Sequence, residues 1–314
     1  MSFSDPLVID MPASRPDHIV FFGTPDVAIA SLRGLCDAGL PVDLVVTGVD
    51  KRRSRGTATS PSPVKVAAGE LGIPVVHDLA EMLRKVASLE GTVLGVVVAY
   101  GRLLPASVLE VLPLVNLHFS LLPRWRGAAP VERAILAGDS ETGVCLMRVR
   151  SELDSGEVFA RQSVPIRDTD TLEDLRDVLN RVGVALLVSA CRDGFGCGLP
   201  QVGEATYAHK ITTDDLRLTW ESVDGVTRRV RIGGAFGVVA GQRVKVHECR
   251  SATGDVPLPD GDNGSVWFRR GVVGVRCGDG GVELITVQPE GRARMTAAAW
   301  WNGLRGSTSV RFDA

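Results

Sequence analysis

Short, almost wholly apolar runs separated by amphipathic stretches set the pattern of the first two thirds of the chain. Residues 18–22 (HIVFF) form one such run, and Gly23-Thr24-Pro25 then turns the chain. Ile29, Leu32 and Leu35 or Cys36 follow at near-helical spacing, which predicts a helix over about 26–37. The same reading gives strands at 42–49, 75–76, 93–99 and 114–117, with helices at 63–71 and 79–87. Apolar runs without alternation belong to strands covered on both faces, so the order predicts an α/β fold. It is a doubly wound, mostly parallel sheet with right-handed crossovers.

The pattern continues with an extended stretch at 158–166 and a long helix from Thr171 to about Cys191, capped by Thr169 or Thr171. Residues 194–204, rich in Gly, Pro and Gln, read as a linker. Beyond about Ile211 the periodicity changes to short strands punctuated by glycine, at 236–239, 243–249, 264–268, 272–277 and 282–287. This predicts a small C-terminal β-barrel or sandwich. The expected division is an N-terminal extension (1–17), a catalytic domain (18–203), a linker (204–210) and a barrel domain (211–314).

Composition narrows the class. A chain of 314 residues, 45% hydrophobic and 23% charged, has ample material for two globular cores. Its longest apolar run is far too short to span a bilayer. Residues 1–17 carry Asp5, Pro6 and Asp10 without a basic start or an apolar block, so they read as a short mobile extension and not as a secretory signal. The six cysteines form no Cys-x-x-Cys pair and have no histidine at zinc spacing, which predicts scattered thiols, no metal and a reducing cytoplasmic setting. The turn after the first run lacks Gly-x-Gly-x-x-Gly, which argues against a dinucleotide site.

Net charge is −2, but unevenly distributed: residues 208–314 hold 15 Lys and Arg against 12 Asp and Glu (+3), leaving 20 against 25 (−5) for residues 1–207. A nucleic-acid contact would therefore rest on local patches. Three stand out: Lys51-Arg52-Arg53-Ser54-Arg55, Arg228-Arg229-Val230-Arg231, and Arg292 with Arg294. Each also fits a solvated surface run.

The densest chemistry lies between Asn116 and Asp154. Asn116 and His118 end an apolar run, where open α/β sheets bind ligands, and Asp154 follows in Leu153-Asp154-Ser155-Gly156. An amide can donate to a developing oxyanion, an imidazole can handle a proton, and a carboxylate can hold the imidazole, a set suited to acyl transfer. On spacing alone a structural role fits the same residues better than a catalytic one.

The surrounding wording is more specific. Asn116-Leu117-His118-Phe119-Ser120-Leu121-Leu122-Pro123-Arg124-Trp125-Arg126-Gly127 closely resembles the signature of the 10-formyltetrahydrofolate-dependent formyltransferases, and within them the methionyl-tRNA formyltransferases. Further matching blocks occur in the family's order at Phe22-Gly23-Thr24-Pro25-Asp26, Ser60-Pro61-Ser62-Pro63-Val64-Lys65, Val98-Ala99-Tyr100-Gly101, Ala205-Thr206-Tyr207-Ala208-His209-Lys210 and Val287-Gln288-Pro289-Glu290-Gly291-Arg292.

The resemblance implies formyl transfer from 10-formyltetrahydrofolate to the α-amine of methionyl initiator tRNA, in the cytoplasm, by a monomer. In that reading Asn116 and His118 donate to the oxyanion, Asp154 orients His118, and Ser120, Leu121, Leu122 and Pro123 line the folate site. It also implies that the C-terminal barrel is of the oligonucleotide-binding kind, and that Lys51, Arg52, Arg53 and Arg55 occupy the family's basic tRNA loop. Arg228, Arg229 and Arg231 would add a weaker contact if they line the barrel's inner face.

Two departures accompany it: Thr57 and Ala58 stand where lysines often follow, and Ile232-Gly233-Gly234-Ala235-Phe236-Gly237 replaces an Asn-Pro-Trp-Pro type of segment. The Asn, His and Asp core is shared by formyltransferases acting on amino sugar nucleotides or other small amines, the nearest rival. An inactive RNA-binding protein is a rival of another class.

Overall fold

A computed structural model describes residues 9–52, 59–252, 261–304 and 310–313. The chain divides into two compact units, one of Met1–Val131, Glu141–Pro165 and Arg176–His209, the other of Glu132–Ser140, Ile166–Leu175 and Lys210–Ala314.

The first unit is built on seven strands: β1 (His18–Gly23), β2 (Val42–Val46), β5 (Val75–Val76), β6 (Val93–Val98), β7 (Leu114–His118), β9 (Glu141–Arg148) and β10 (Val158–Pro165). Between them lie the short pairs β3 (Lys51–Arg52) with β4 (Thr59–Ser60), and β8 (Arg126–Gly127) with the later β11 (Tyr207–Ala208). Helices α1 (Ile29–Asp37), α2 (Pro63–Glu70), α3 (Leu79–Val86) and α4 (Ala106–Leu109) occupy the connections, while α5 (Pro130–Ala137) and α6 (Leu172–Asp193) each have residues in both units. The sheet order is β10-β9-β7-β6-β1-β2-β5. Strands β7, β6, β1, β2 and β5 are parallel, while β9 runs antiparallel to both of its neighbours, β7 and β10.

The central strand β1 is buried from Ile19 to Gly23, as its unbroken apolar run requires. Val20, Phe22, Leu44, Val46, Met82 and Leu112 form part of one core. Caps set the helix starts. Ser62 accepts the Lys65 N–H (3.1 Å) with Pro63 in the first turn of α2. Thr171, rather than Thr169, caps α6 in a reciprocal pair with Asp174. The run expected to continue to residue 49 ends at Val46, because the Thr47 hydroxyl pairs with Ser62 (2.8 Å) and its carbonyl with His77.

Two expectations are overturned. Residues 9–16 are not a mobile extension: Met11 and Pro12 are buried, Phe195 N–H donates to Pro12 O (2.8 Å), and Arg148 Nη1 donates to Ile9 O (2.7 Å). Residues 194–204 are not a loose linker, since Leu199 bridges Val158 and Gln201 is tied into the loop described below.

The second unit contains α7 (Thr213–Leu216), α8 (Val223–Arg231), β12 (Phe236–Val239), β13 (Gln242–Ser251), β14 (Val266–Arg269), β15 (Val272–Cys277), β16 (Gly280–Pro289), β17 (Met295–Thr296) and α9 (Ala297–Gly303). The antiparallel order β12-β13-β16-β15-β14 would leave β12 and β14 as edges, with β17 added on β16. Residues 310–313 pair with both: Phe312 bridges Val239 of β12, and Arg311 bridges Ser265 just before β14. Residues 310–313 thus bridge the two edge strands of the sheet. Trp220, Trp300 and Phe312 meet in its core, at ring separations of 4.7 and 5.8 Å from Phe312. The segment that departs from the family pattern has a local reason, because Gly233 (φ 83°) and Gly234 (φ 78°) stop α8 in left-handed backbone before β12.

Candidate active site

Strand β7 stands where the sheet changes direction. Asn116 faces Val97 in parallel register and Met147 in antiparallel register, and His118 faces Cys145. Residues two apart on a strand share a face, so Asn116 and His118 point the same way. Asp154 comes from the turn of the β9–β10 hairpin, whose neck is closed by Arg148 N–H donating to Glu157 O (2.8 Å).

The three predicted groups meet. Asp154 Oδ1 accepts from Asn116 Nδ2 (3.3 Å), Oδ2 accepts the Gly127 N–H (2.8 Å), and Oδ2 lies 3.6 Å from His118 Nδ1. The His118 side chain is 5% exposed and that of Asp154 13%, so the cluster is largely shielded from solvent screening. His118 Nε2 stands 2.9 Å from the Trp125 carbonyl. A carbonyl can only accept, so Nε2 carries the proton, and the neutral ring presents an unprotonated Nδ1 beside Asp154. The donor role expected for His118 is thus open only to its protonated form. The neutral ring is arranged to take a proton.

Backbone conformation at the site is unusual. Trp125 (φ 64°) and Asp154 (φ 47°) are both in left-handed backbone, which costs a non-glycine residue on the order of 1 kcal/mol and persists only where contacts over-determine it. Thr206 supplies part of the restraint, accepting Trp125 N–H at Oγ1 (2.9 Å) and Arg126 N–H at its carbonyl (2.8 Å). Strand β11 then pairs with β8, Tyr207 opposite Arg126 and Ala208 opposite Gly127. Gly127 has φ 119°, and a Cβ there would sit 2.9 Å from Ala208 O, so only glycine lets its N–H reach Asp154.

Gln201 restrains Asp154 from the other side. Its Nε2 donates to Asp154 O (2.8 Å) and Gly156 O (2.9 Å), while its Oε1 accepts from Arg126 Nε (3.1 Å) and Nη2 (2.7 Å). Arg126 also stands 3.8 Å from Glu152, so its guanidinium is occupied within the protein.

In the expected folate stretch, Ser120 is fully buried with its hydroxyl donating to Arg124 O (2.6 Å), and Leu122 packs with Cys145 and Met147. Leu121 and Pro123 keep accessible surface, and the Leu122–Pro123 bond is cis. Trp125 lies under the Arg124 guanidinium, 4.5 Å from its ring centroid. Cys145 shares the His118 face, but burial pushes its thiol up to about 11, which keeps it from serving as a thiolate nucleophile. Among the described residues no group of three or more His, Cys, Asp or Glu is placed to hold a metal ion, and no helix is long and apolar enough to cross a membrane.

The basic residues are dispersed. Lys51 and Arg52 form β3, opposite Ser60 and Thr59, while Arg53, Arg55, Thr57 and Ala58 lie outside the described residues. Arg228, Arg229 and Arg231 do not line the inner face of the barrel, because they are carried by helix α8. Arg231 donates to Asp170 O (2.6 Å) and Arg167 O (2.7 Å), Arg229 to Gly225 O (3.0 Å), and Arg228 pairs with Asp224 (3.3 Å).

Sequence reasoning missed Gln201, the Gly127 N–H and the Trp125 carbonyl. Two are backbone groups, which leave no mark in a sequence, and Gln201 fell in a stretch whose composition reads as linker. Thr206 lay within a matching block without an assigned role.

Known proteins resemble this chain over most of its length. The formyl transferase family profile matches residues 17–191, and the formyl transferase C-terminal domain profile matches residues 210–305. A methionyl-tRNA formyltransferase of Methylococcus capsulatus is 38% identical over 300 residues, covering 91% of this chain and 96% of its own. One of Symbiobacterium thermophilum is 41% identical over 313 residues, covering 94% and 95%. Among solved structures, HypX from Aquifex aeolicus in complex with tetrahydrofolic acid shares the fold at TM-score 0.61 and 18% identity. That match covers 93% of this chain and 48% of HypX, so the chain spans about half of HypX. The N-formyltransferase from Helicobacter canadensis, in complex with folinic acid and dTDP-3-aminofucose, matches at TM-score 0.59 and 15% identity, covering 85% and 98%.

Proposed function

Since the chain belongs to the formyl transferase family, we propose that it transfers the formyl group of 10-formyltetrahydrofolate to the α-amine of methionine esterified to initiator tRNA. The observation that carries the acceptor assignment is likeness at 38–41% identity to methionyl-tRNA formyltransferases over more than nine tenths of both chains.

The site suits this chemistry. The amine nitrogen attacks the formyl carbon, a C–N bond forms, and the bond from that carbon to N10 of the folate breaks. The proton lost by the amine ends on N10. Asn116 Nδ2 has two N–H groups; Asp154 accepts one, and we assign the other to the tetrahedral oxyanion, a contact worth about 3 kcal/mol. His118 Nδ1 takes the amine proton, and Asp154 Oδ2, 3.6 Å away, stabilises the imidazolium that results. The accessible surfaces of Leu121 and Pro123, with the backbone of the 120–123 loop, face the folate. Lys51, Arg52, Arg53 and Arg55 hold phosphates near the acceptor end of the tRNA, and Arg228 and Arg229 add to that contact. The enzyme acts in the cytoplasm as a monomer.

The test is turnover of purified protein with 10-formyltetrahydrofolate and two acceptors, charged initiator tRNA and a nucleotide-linked amino sugar. Formylation of the tRNA alone supports the assignment. Preferential formylation of the amino sugar overturns it.

A further inference from the structure

Gln201 lies outside the groups assigned to the chemistry, yet every hydrogen-bonding capacity of its side-chain amide is used beside Asp154. Two N–H groups go to Asp154 O and Gly156 O, and two lone pairs accept from Arg126. Such saturation fixes the amide's orientation, because the reversed amide would set its oxygen against two carbonyls and its NH₂ against the guanidinium. The residue it grips, Asp154, is held at φ 47°, and its carboxylate touches both Asn116 and Gly127. The Gly127 N–H reaches that carboxylate from the strand begun by Arg126, so Arg126 and Gln201 bracket Asp154 through its carboxylate partner and its carbonyl.

We infer that Gln201 is a positioning residue for formyl transfer: its amide holds Asp154 in left-handed backbone, so that one carboxylate serves Asn116 and His118 together. The inference rests on the formyltransferase reading above. Without the amide, the 154–156 peptides lose two donors and relax, and Asp154 leaves its two partners. Gln201 would then act only through Asp154.

A double-mutant cycle in single-turnover formylation of charged tRNA tests this. Gln201→Leu should slow the step by about 10-fold or more, with the KM for tRNA and for 10-formyltetrahydrofolate within about 2-fold of the parent. In an Asp154→Asn background the same change should cost less than about 2-fold, because the group it positions is already gone. Gln201→Glu keeps an acceptor for Arg126 but sets a carboxylate oxygen against two carbonyls, so it should reproduce the kinetic defect in folded protein. If Gln201→Leu fails to fold, the cycle is run with Gln201→Glu. Equal losses in both backgrounds, or full activity of Gln201→Glu, would overturn the positioning role. Failure of the parent protein to formylate charged tRNA would instead overturn the functional reading.

Discussion

Replacing Asp154 by Asn preserves the shape of the site and removes one charge, and the geometry states what must follow. The new side-chain oxygen has to accept the Gly127 N–H, 2.8 Å from Asp154 Oδ2. The new NH₂ is then turned toward the Asn116 NH₂, where donor and acceptor now stand 3.3 Å apart. Two donors at that distance are relieved by rotating the Asn116 amide, which puts its oxygen where the oxyanion forms. Reversal of an oxyanion donor costs about 3 kcal/mol. The imidazolium also loses its counter-charge at 3.6 Å, worth about 4 to 5 kcal/mol at an effective dielectric near 20 before desolvation is counted, of which we take about 1 to 2 kcal/mol as net. Together these predict a chemical step slower by about 10³-fold.

Single-turnover rates with radiolabelled 10-formyltetrahydrofolate and charged tRNA, on protein of unchanged melting temperature, read the loss. A rate within about 5-fold of the parent would refute the shared-carboxylate geometry.

Changing Lys51, Arg52, Arg53 and Arg55 together to Ser should raise the KM for charged tRNA and reduce the slope of log affinity against log salt by about 0.7 to 0.9 for each phosphate no longer neutralised; tRNA affinity at several salt concentrations checks it. Arg231→Ala should lower thermal stability and leave that slope unchanged, because its guanidinium is bound to two backbone carbonyls. In the second unit, the Arg133 hydrogen bond, followed by those from Thr212, outweighs burial and brings Asp215 down to about 2. A lowered carboxylate contributes stability above its unfolded pKa, near 3.9, and loses it as pH falls through the folded value. Asp215→Asn should therefore melt lower than the parent at pH 7, by about 2 kcal/mol, with the gap closing between about pH 4 and pH 2.

Much of this was legible in the chain because it is written in side chains. Unbroken apolar runs marked β1 and β6, Asn116 and His118 stood at the end of a strand, and the family wording around them singled out Asp154 as their partner. What the pattern missed has physical reasons. β9 is buried along almost its whole length, so no alternation marks it, and α8 is short and rich in arginine, which reads as a charged patch. The tautomer of His118 is set by a backbone carbonyl, and the conformation of Asp154 by Gln201, 47 residues further along the chain. Residues 9–16 resembled a loose tail until Pro12 and Ile9 were found hydrogen-bonded to Phe195 and Arg148.

The most direct test of the central claim is a single-turnover comparison of the parent with folded Asn116→Ala, using 10-formyltetrahydrofolate labelled in the formyl carbon and charged initiator tRNA. The label should pass to the methionine α-amine in stoichiometric amount with the parent, and on the order of 100-fold more slowly with Asn116→Ala. Equal rates for the two proteins, or label that never reaches the charged tRNA, would contradict it.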